Sequence, residues 1–63
     1  MKIAELLKLT PGTTVRVAAD STSTFAGQTG TFREVTPTRG YARVEFGAPE
    51  NDGLLEAHEV TAV

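Results

Sequence analysis

The chain has 63 residues, a net charge of −2, one histidine and no cysteine. This length limits it to a single domain, residues 1–63, and the absence of cysteine excludes disulfides and thiolate metal sites. The sequence has no run of about 18 apolar residues, so no membrane partner is expected, and its N-terminal segment is too short and too charged for a signal peptide. A cytoplasmic protein, or one assembled into a particle formed in the cytoplasm, is therefore predicted.

The N-terminal segment, residues 1–9, predicts a short helix. Ile3, Leu6 and Leu7 fall at i, i+3 and i+4, which places them on one apolar face. The Thr-Pro pair that follows disfavours a longer helix. Because so short a helix is not stable alone in water, its apolar face is expected to pack on the body of the protein or on another molecule.

Residues 11–63 contain five segments with the composition of short strands. The predicted strands span residues 13–19, 30–36, 41–47, 54–58 and 59–63. Turn-forming sequences separate them at intervals of about 8–12 residues, which is typical of a small barrel or sandwich. The sequence therefore predicts an all-β fold, and closing the sheet into a barrel would remove its exposed edges.

The order of apolar residues indicates which side of each strand is buried. In the first strand Val15 and Val17 alternate with polar residues. In the second strand two apolar residues three positions apart break the alternation, which predicts a bend or a bulge. In the last strand Val60 and either Ala62 or Val63 are expected to pack inside.

The segment FAGQTGTF, residues 25–32, places two glycines three positions apart. A Walker loop would need Gly-Lys-Ser/Thr and a following helix, whereas this segment has no lysine and precedes a strand. A KH-type loop would need flanking helices and basic residues. Gly27 and Gly30 are therefore interpreted as structural turn residues with backbone angles that a Cβ would disfavour, and Phe25 and Phe32 as core residues on either side.

These features resemble the KOW motif, which is found on SH3-like barrels in NusG-type transcription factors and ribosomal proteins. The resemblance covers residues 11–63 and lies in PGTTVRV, FAGQTGTFREV and YARVEF. The matching positions are Gly12, Val15, Val17, Phe25, Ala26, Gly27, Gly30, Phe32 and Val35. The resemblance implies a five-stranded SH3-like barrel behind the N-terminal helical segment. It also implies docking on a large assembly through protein, RNA or both, without catalysis.

Three arginines form a candidate interaction surface. Arg16, Arg33 and Arg43 are expected at outward-facing positions on three successive strands. Tyr41 is expected to share their face, and arginine with tyrosine is typical of both protein hot spots and RNA-stacking surfaces. The alternative is an ordinary surface on which the arginines pair with interleaved glutamates.

The helical segment offers a second candidate surface. Ile3, Leu6 and Leu7 are expected either to plug the open end of the protein's own barrel or to dock on a neighbouring subunit, as an amphipathic helix does in a groove. Both interpretations fit the spacing of these three residues.

His58 is the one histidine, and Glu56 and Glu59 lie beside it in the sequence. A metal site here would lack a second strong ligand, and a catalytic base would lack a nucleophile held in place by a third group. The sequence therefore predicts no enzyme activity, no cofactor, no metal site and no small-molecule substrate.

The resulting hypothesis is a non-enzymatic docking module that binds protein as an accessory subunit of a larger assembly, such as a phage particle. The alternative is a KOW-type protein that binds RNA or the ribosome in transcription or translation. The loop before Gly30 has no basic residue, and the chain is acidic overall. Both features disfavour contacts with phosphates.

Overall fold

The computed structural model describes all 63 residues. Its main element is one five-stranded antiparallel sheet. Its elements are helix α1 (Ile3–Leu7), strands β1 (Thr14–Val17), β2 (Thr29–Val35), β3 (Ala42–Glu45) and β4 (Asp52–Leu55), a 3₁₀ turn (Ala57–Glu59) and strand β5 (Val60–Ala62). The strand order is β4-β3-β2-β1-β5. The predicted all-β character is confirmed, and the sheet is not closed by pairing of β4 with β5. The single α-helix has five residues, and none of the helices has the length and apolarity to cross a membrane.

The first three strands lie where alternation predicts them, and β2 contains the expected irregularity. Its register with β3 shifts between Phe32 and Glu34, so Arg33 is the extra residue of a β-bulge. A bulge bends the strand and interrupts the alternation of its side chains. Phe32 is consequently buried, whereas Val35 is half-buried at the end of the strand.

The end of the chain differs from the prediction. β4 begins at Asp52, and residues 56–58, expected to continue the fourth strand, leave the sheet. Local hydrogen bonds explain the difference, because the N–H of Glu59 donates to the carbonyl of Glu56 at 2.9 Å and closes the 3₁₀ turn. Val60 is buried as expected, but Ala62 and Val63 are both exposed at the sheet edge.

The core contains nine buried apolar side chains from the helix, the 3₁₀ turn and all five strands. They are Leu6, Val15, Val17, Phe32, Ala42, Val44, Leu55, Ala57 and Val60. Leu6 is fully buried, whereas Ile3 and Leu7 are 53% and 65% exposed. Of the two alternatives for this apolar face, the burial of Leu6 agrees with packing on the protein's own body, whereas Ile3 and Leu7 stay exposed to solvent.

The two glycines of FAGQTGTF have different structural roles. Gly27 has a φ of +79°, the left-handed conformation that glycine adopts without strain. Gly30 has no positive φ, which corrects the prediction for this position. A Cβ there would lie 2.7 Å from Cγ1 of Val44 and 2.8 Å from the carbonyl oxygen of Glu45. Gly30 is therefore required for the close packing of β2 on β3.

Candidate functional site

Arg43 lies at the centre of an ion-pair network on the outward side of β3. Its Nε lies 3.2 Å from Oε2 of Glu34, and its Nη1 lies 3.3 Å from Oε2 of Glu45 and 3.4 Å from Oδ2 of Asp52. Desolvation acts to lower the pKa of Arg43, but the hydrogen bonds to Glu34, Asp52 and Glu45 and the charge of Glu34 together outweigh it, and the pKa is raised. Nε of Arg33 lies 3.6 Å from the other carboxylate oxygen of Glu45. Both arginines are thus paired within the chain.

The four residues of the predicted interaction surface do not form one cluster. Arg33 and Arg43 meet through a shared glutamate. Arg16 lies opposite Thr29 on β2, and Arg33 is four residues further along that strand, a distance of about 13 Å. Tyr41 lies two residues before Arg43, where its side chain lines a separate surface cleft.

This cleft, of about 690 Å³, lies between the loop that follows β1 and the 3₁₀ turn. Its lining residues include Asp20, Ser21, Tyr41, Leu54, Glu56, His58 and Glu59. Three of these side chains are carboxylates, and no lysine or arginine lines the cleft. We call it the acidic cleft.

A hydrogen bond between distant parts of the chain joins the two walls of the acidic cleft. The hydroxyl of Ser21 donates to Oε2 of Glu59, and the backbone N–H of Glu56 donates to Oε1 of Glu59 at 3.2 Å. The bond from Ser21, followed by the bond from Glu56, lowers the pKa of Glu59. The backbone N–H of Ser23 donates to the Ser21 oxygen at 3.0 Å, which orders the loop around it. The position and negative charge of Glu59 are therefore both stabilised.

A second cleft, of about 520 Å³, adjoins the first, and the two share Tyr41, Glu56 and His58. Its other lining residues include Lys2, Ile3 and Arg39. This cleft therefore has basic side chains and the exposed apolar side chain of Ile3. We call it the basic cleft, and the acidic and basic clefts together the groove.

The 3₁₀ turn also brings together the three potential metal ligands at which the sequence predicted no metal site. Donor atoms of Glu56, His58 and Glu59 lie within 4.8 Å of one another, and Nε2 of His58 lies 3.4 Å from Oε2 of Glu56. Both oxygens of Glu59 already accept hydrogen bonds, and Glu56 and His58 are exposed. We therefore interpret this cluster as part of the charged wall of the groove.

Leu54 is the functional candidate that sequence reasoning missed. Its side chain is 57% exposed and lines the acidic cleft near Tyr41. The Leu-Leu pair in β4 could have indicated an exposed leucine, because successive side chains of a strand point to opposite faces. Since Leu55 is buried in the core, Leu54 must face outward.

The groove thus combines exposed apolar side chains with charges of both signs, which are the features of a binding surface. In comparisons with known proteins, no family model, curated protein or solved structure matches the chain.

Proposed function

We propose that the protein is a non-enzymatic docking module that binds a protein partner through the acidic cleft, as an accessory subunit of a larger assembly such as a phage particle. The observation that supports this proposal is that exposed Leu54 lines the same cleft as Tyr41 and three carboxylates. Exposed aromatic and aliphatic side chains supply contact area, and the carboxylates attract basic groups. The partner would present an extended segment with apolar and basic residues.

The topology supports an SH3-like barrel as the more specific fold. The strand order β4-β3-β2-β1-β5 places the first strand beside the last. A 3₁₀ turn precedes the last strand. The 3₁₀ turn connects the two outer strands, and α1 packs near it with Leu6 in the core. A KOW-like barrel used for docking agrees with this arrangement and with the sequence resemblance.

The electrostatics favour protein over RNA as the partner. Of the three arginines behind the RNA-binding hypothesis, Arg33 and Arg43 are paired with carboxylates, and Arg16 alone makes no ion pair. Affinity for nucleic acid depends mainly on cationic groups that neutralise phosphates. Paired arginines beside an acidic cleft are poorly suited to that task.

The contacts of Ser21 and His58 support a non-catalytic role. Ser21 donates its hydroxyl proton to Glu59, whereas the imidazole of His58 pairs with Glu56. Acyl transfer by a serine requires the imidazole to accept the proton from the hydroxyl. The two side chains have different partners, so they do not form that pair.

Selection of peptides from a random displayed library on the immobilised full-length chain tests the proposal. We expect enrichment of peptides with basic and apolar residues, and a loss of affinity of about five- to tenfold in Leu54→Ala. Leu7→Ala is the matched control, because Leu7 is similarly exposed but lies outside the groove. Circular dichroism would establish that both variants are folded.

Two results would contradict the proposal. One is a library that yields no enriched peptide, or peptides that bind Leu54→Ala as tightly as the unmodified chain. The other is salt-dependent RNA binding that is lost when Arg33 or Arg43 is replaced by Glu, which would support the RNA-binding alternative.

A further inference from the structure

The charge of the groove changes sign along its length. Asp20 and Glu59 lie in the acidic cleft, and Lys2 and Arg39 line the basic cleft. The two clefts share Tyr41, Glu56 and His58. The groove therefore has an acidic end, a basic end, and a centre where Tyr41 lies with the Glu56–His58 pair.

Charges at both ends are available to a ligand. No ion pair within the chain involves Asp20, Lys2 or Arg39, and all three residues are exposed. They differ in this respect from Arg33 and Arg43, whose charges are compensated by glutamates and an aspartate. Unpaired charges of opposite sign thus lie at the two ends of the groove, Asp20 at one end and Lys2 and Arg39 at the other.

We infer that the groove selects an extended partner segment with a basic residue at one end, an apolar residue in the middle and an acidic residue at the other end. This inference rests on the proposed docking function and specifies the partner for the same site. The basic residue would lie in the acidic cleft, the apolar residue on Tyr41 and the acidic residue near Lys2 and Arg39. A uniformly anionic ligand such as RNA would meet three carboxylates at the acidic end.

The dimensions of the protein limit the length of this segment. The Cα atoms extend 24, 23 and 22 Å along the principal axes, and an extended chain rises about 3.3 Å per residue. A segment of about seven residues therefore spans the whole protein. We expect the opposite charges of a segment confined to the groove to lie closer together than that.

Complementary charge contributes more to specificity than to affinity at such an exposed site. Each solvent-exposed ion pair is worth about a two- to fivefold change in affinity. Salt reduces that change by screening. Where the charge of a peptide end matches the sign of the cleft beside it, the two charges repel. A segment whose two ends are both complementary to the groove should therefore bind more tightly than a segment with only one complementary end.

Three labelled peptides of equal length test the inference by fluorescence anisotropy at low salt. All three have a central tryptophan, and their ends are basic and acidic, both basic, or both acidic. We expect the unmodified chain to bind the peptide with opposite ends about two- to fivefold more tightly than either of the others. Because Met1 lines the basic cleft, the purification tag belongs at the C-terminus.

A charge reversal in the groove should change this preference. Arg39→Glu leaves Lys2 beside a new carboxylate at the basic end, so the peptide with opposite ends should lose its advantage over the peptide with two basic ends. Lys8→Glu is the matched control, since it makes the same charge change at an exposed position outside the groove. It should leave the order of the three affinities unchanged.

The outcomes separate this inference from the proposed function. Equal binding of the three peptides, or the same change of preference in Arg39→Glu and Lys8→Glu, would overturn the inference. If library-selected peptides bind in a Leu54-dependent manner at the same time, the docking function stands without the charge order. If neither designed nor selected peptides bind, both proposals are wrong.

Discussion

The ring of Phe25 stacks on the ring of Phe46, with the centroids 4.0 Å apart and the planes 5° from parallel. Phe25 also covers Gly53 in β4, where an added Cβ would lie 2.6 Å from Cε2 of the ring. The loop after β1 is therefore anchored to the ends of β3 and β4. This loop forms one wall of the acidic cleft, so the aromatic stack helps to position the candidate site.

A double-mutant cycle should detect this stack. We expect Phe25→Leu and Phe46→Leu to be coupled by about 0.5–1.5 kcal/mol, because each leucine retains apolar contact area but removes the ring–ring interaction. Urea denaturation of the two single variants and the double variant measures the coupling. Additive losses of stability would show that the rings contribute only by burial.

The core was more predictable from the sequence than the surface. Alternation correctly placed Val15 and Val17 inside, because a strand with one buried face imposes a period of two. Phe25 was expected in the core together with Phe32, but it is half-buried and packs against the core from outside. Its stacking partner could not be predicted, because contact with Phe46 depends on how the loop after β1 folds back onto the sheet.

The groove could not be predicted for a related reason. Lys2, Asp20 and Arg39 lie in a terminus, a loop and a turn, where no periodic pattern relates them. They line one groove only because strand pairing brings the end of β1 and the beginning of β3 near the 3₁₀ turn. The pairing of Arg43 with Asp52 likewise depends on the register of β3 with β4.

Replacement of the two glycines of FAGQTGTF by alanine should have unequal effects. Gly30→Ala should reduce the free energy of unfolding by about 2–4 kcal/mol, because the new Cβ would clash with the backbone of β3. Gly27→Ala should cost about 1–2 kcal/mol through its positive φ alone, since no atom lies within 4 Å of a Cβ there. Chemical denaturation of both variants checks the order, and a larger loss at Gly27 would contradict it.

The two adjacent leucines of α1 should also differ. Leu6→Ala should cost about 2–5 kcal/mol, because it empties a fully buried position, whereas Leu7→Ala should change stability by less than about 0.5 kcal/mol. The first loss is comparable to the whole stability expected for so small a domain, about 3–9 kcal/mol. Leu6→Met, which conserves volume, should stay folded and lose less than about 1.5 kcal/mol.

Thermal unfolding of the three leucine variants provides the measurement. Similar midpoints for Leu6→Ala and Leu7→Ala would mean that α1 does not contribute to the core in solution. The same burial implies that deletion of residues 1–9 removes a core side chain as well as an exposed apolar surface. Substitution of Leu7 alone is therefore the better test of a docking role for the helix.

The hydrogen bond from Ser21 to Glu59 should make stability depend on pH in the acidic range. The pKa of Glu59 is lowered in the folded state, so its contribution is present above the unfolded pKa and is lost as the pH falls through the folded pKa. Ser21→Ala removes the largest cause of this shift. At neutral pH the variant should be less stable by about 1 kcal/mol, allowing for the solvent exposure of the pair. The difference should shrink as the pH falls and Glu59 becomes protonated.

Denaturation of Ser21→Ala and the unmodified chain from neutral pH to about pH 3 measures this effect, because unperturbed glutamates titrate near pH 4.3. Thr22→Ala is the control, since Thr22 is a neighbouring exposed residue that makes no side-chain hydrogen bond to Glu59. Its stability should follow that of the unmodified chain at every pH. A loss in Ser21→Ala that stays constant across this range would show that the serine stabilises the loop without the charge of Glu59. In that case the acidic cleft would keep its shape by packing, chiefly through the stacked ring of Phe25 on the sheet.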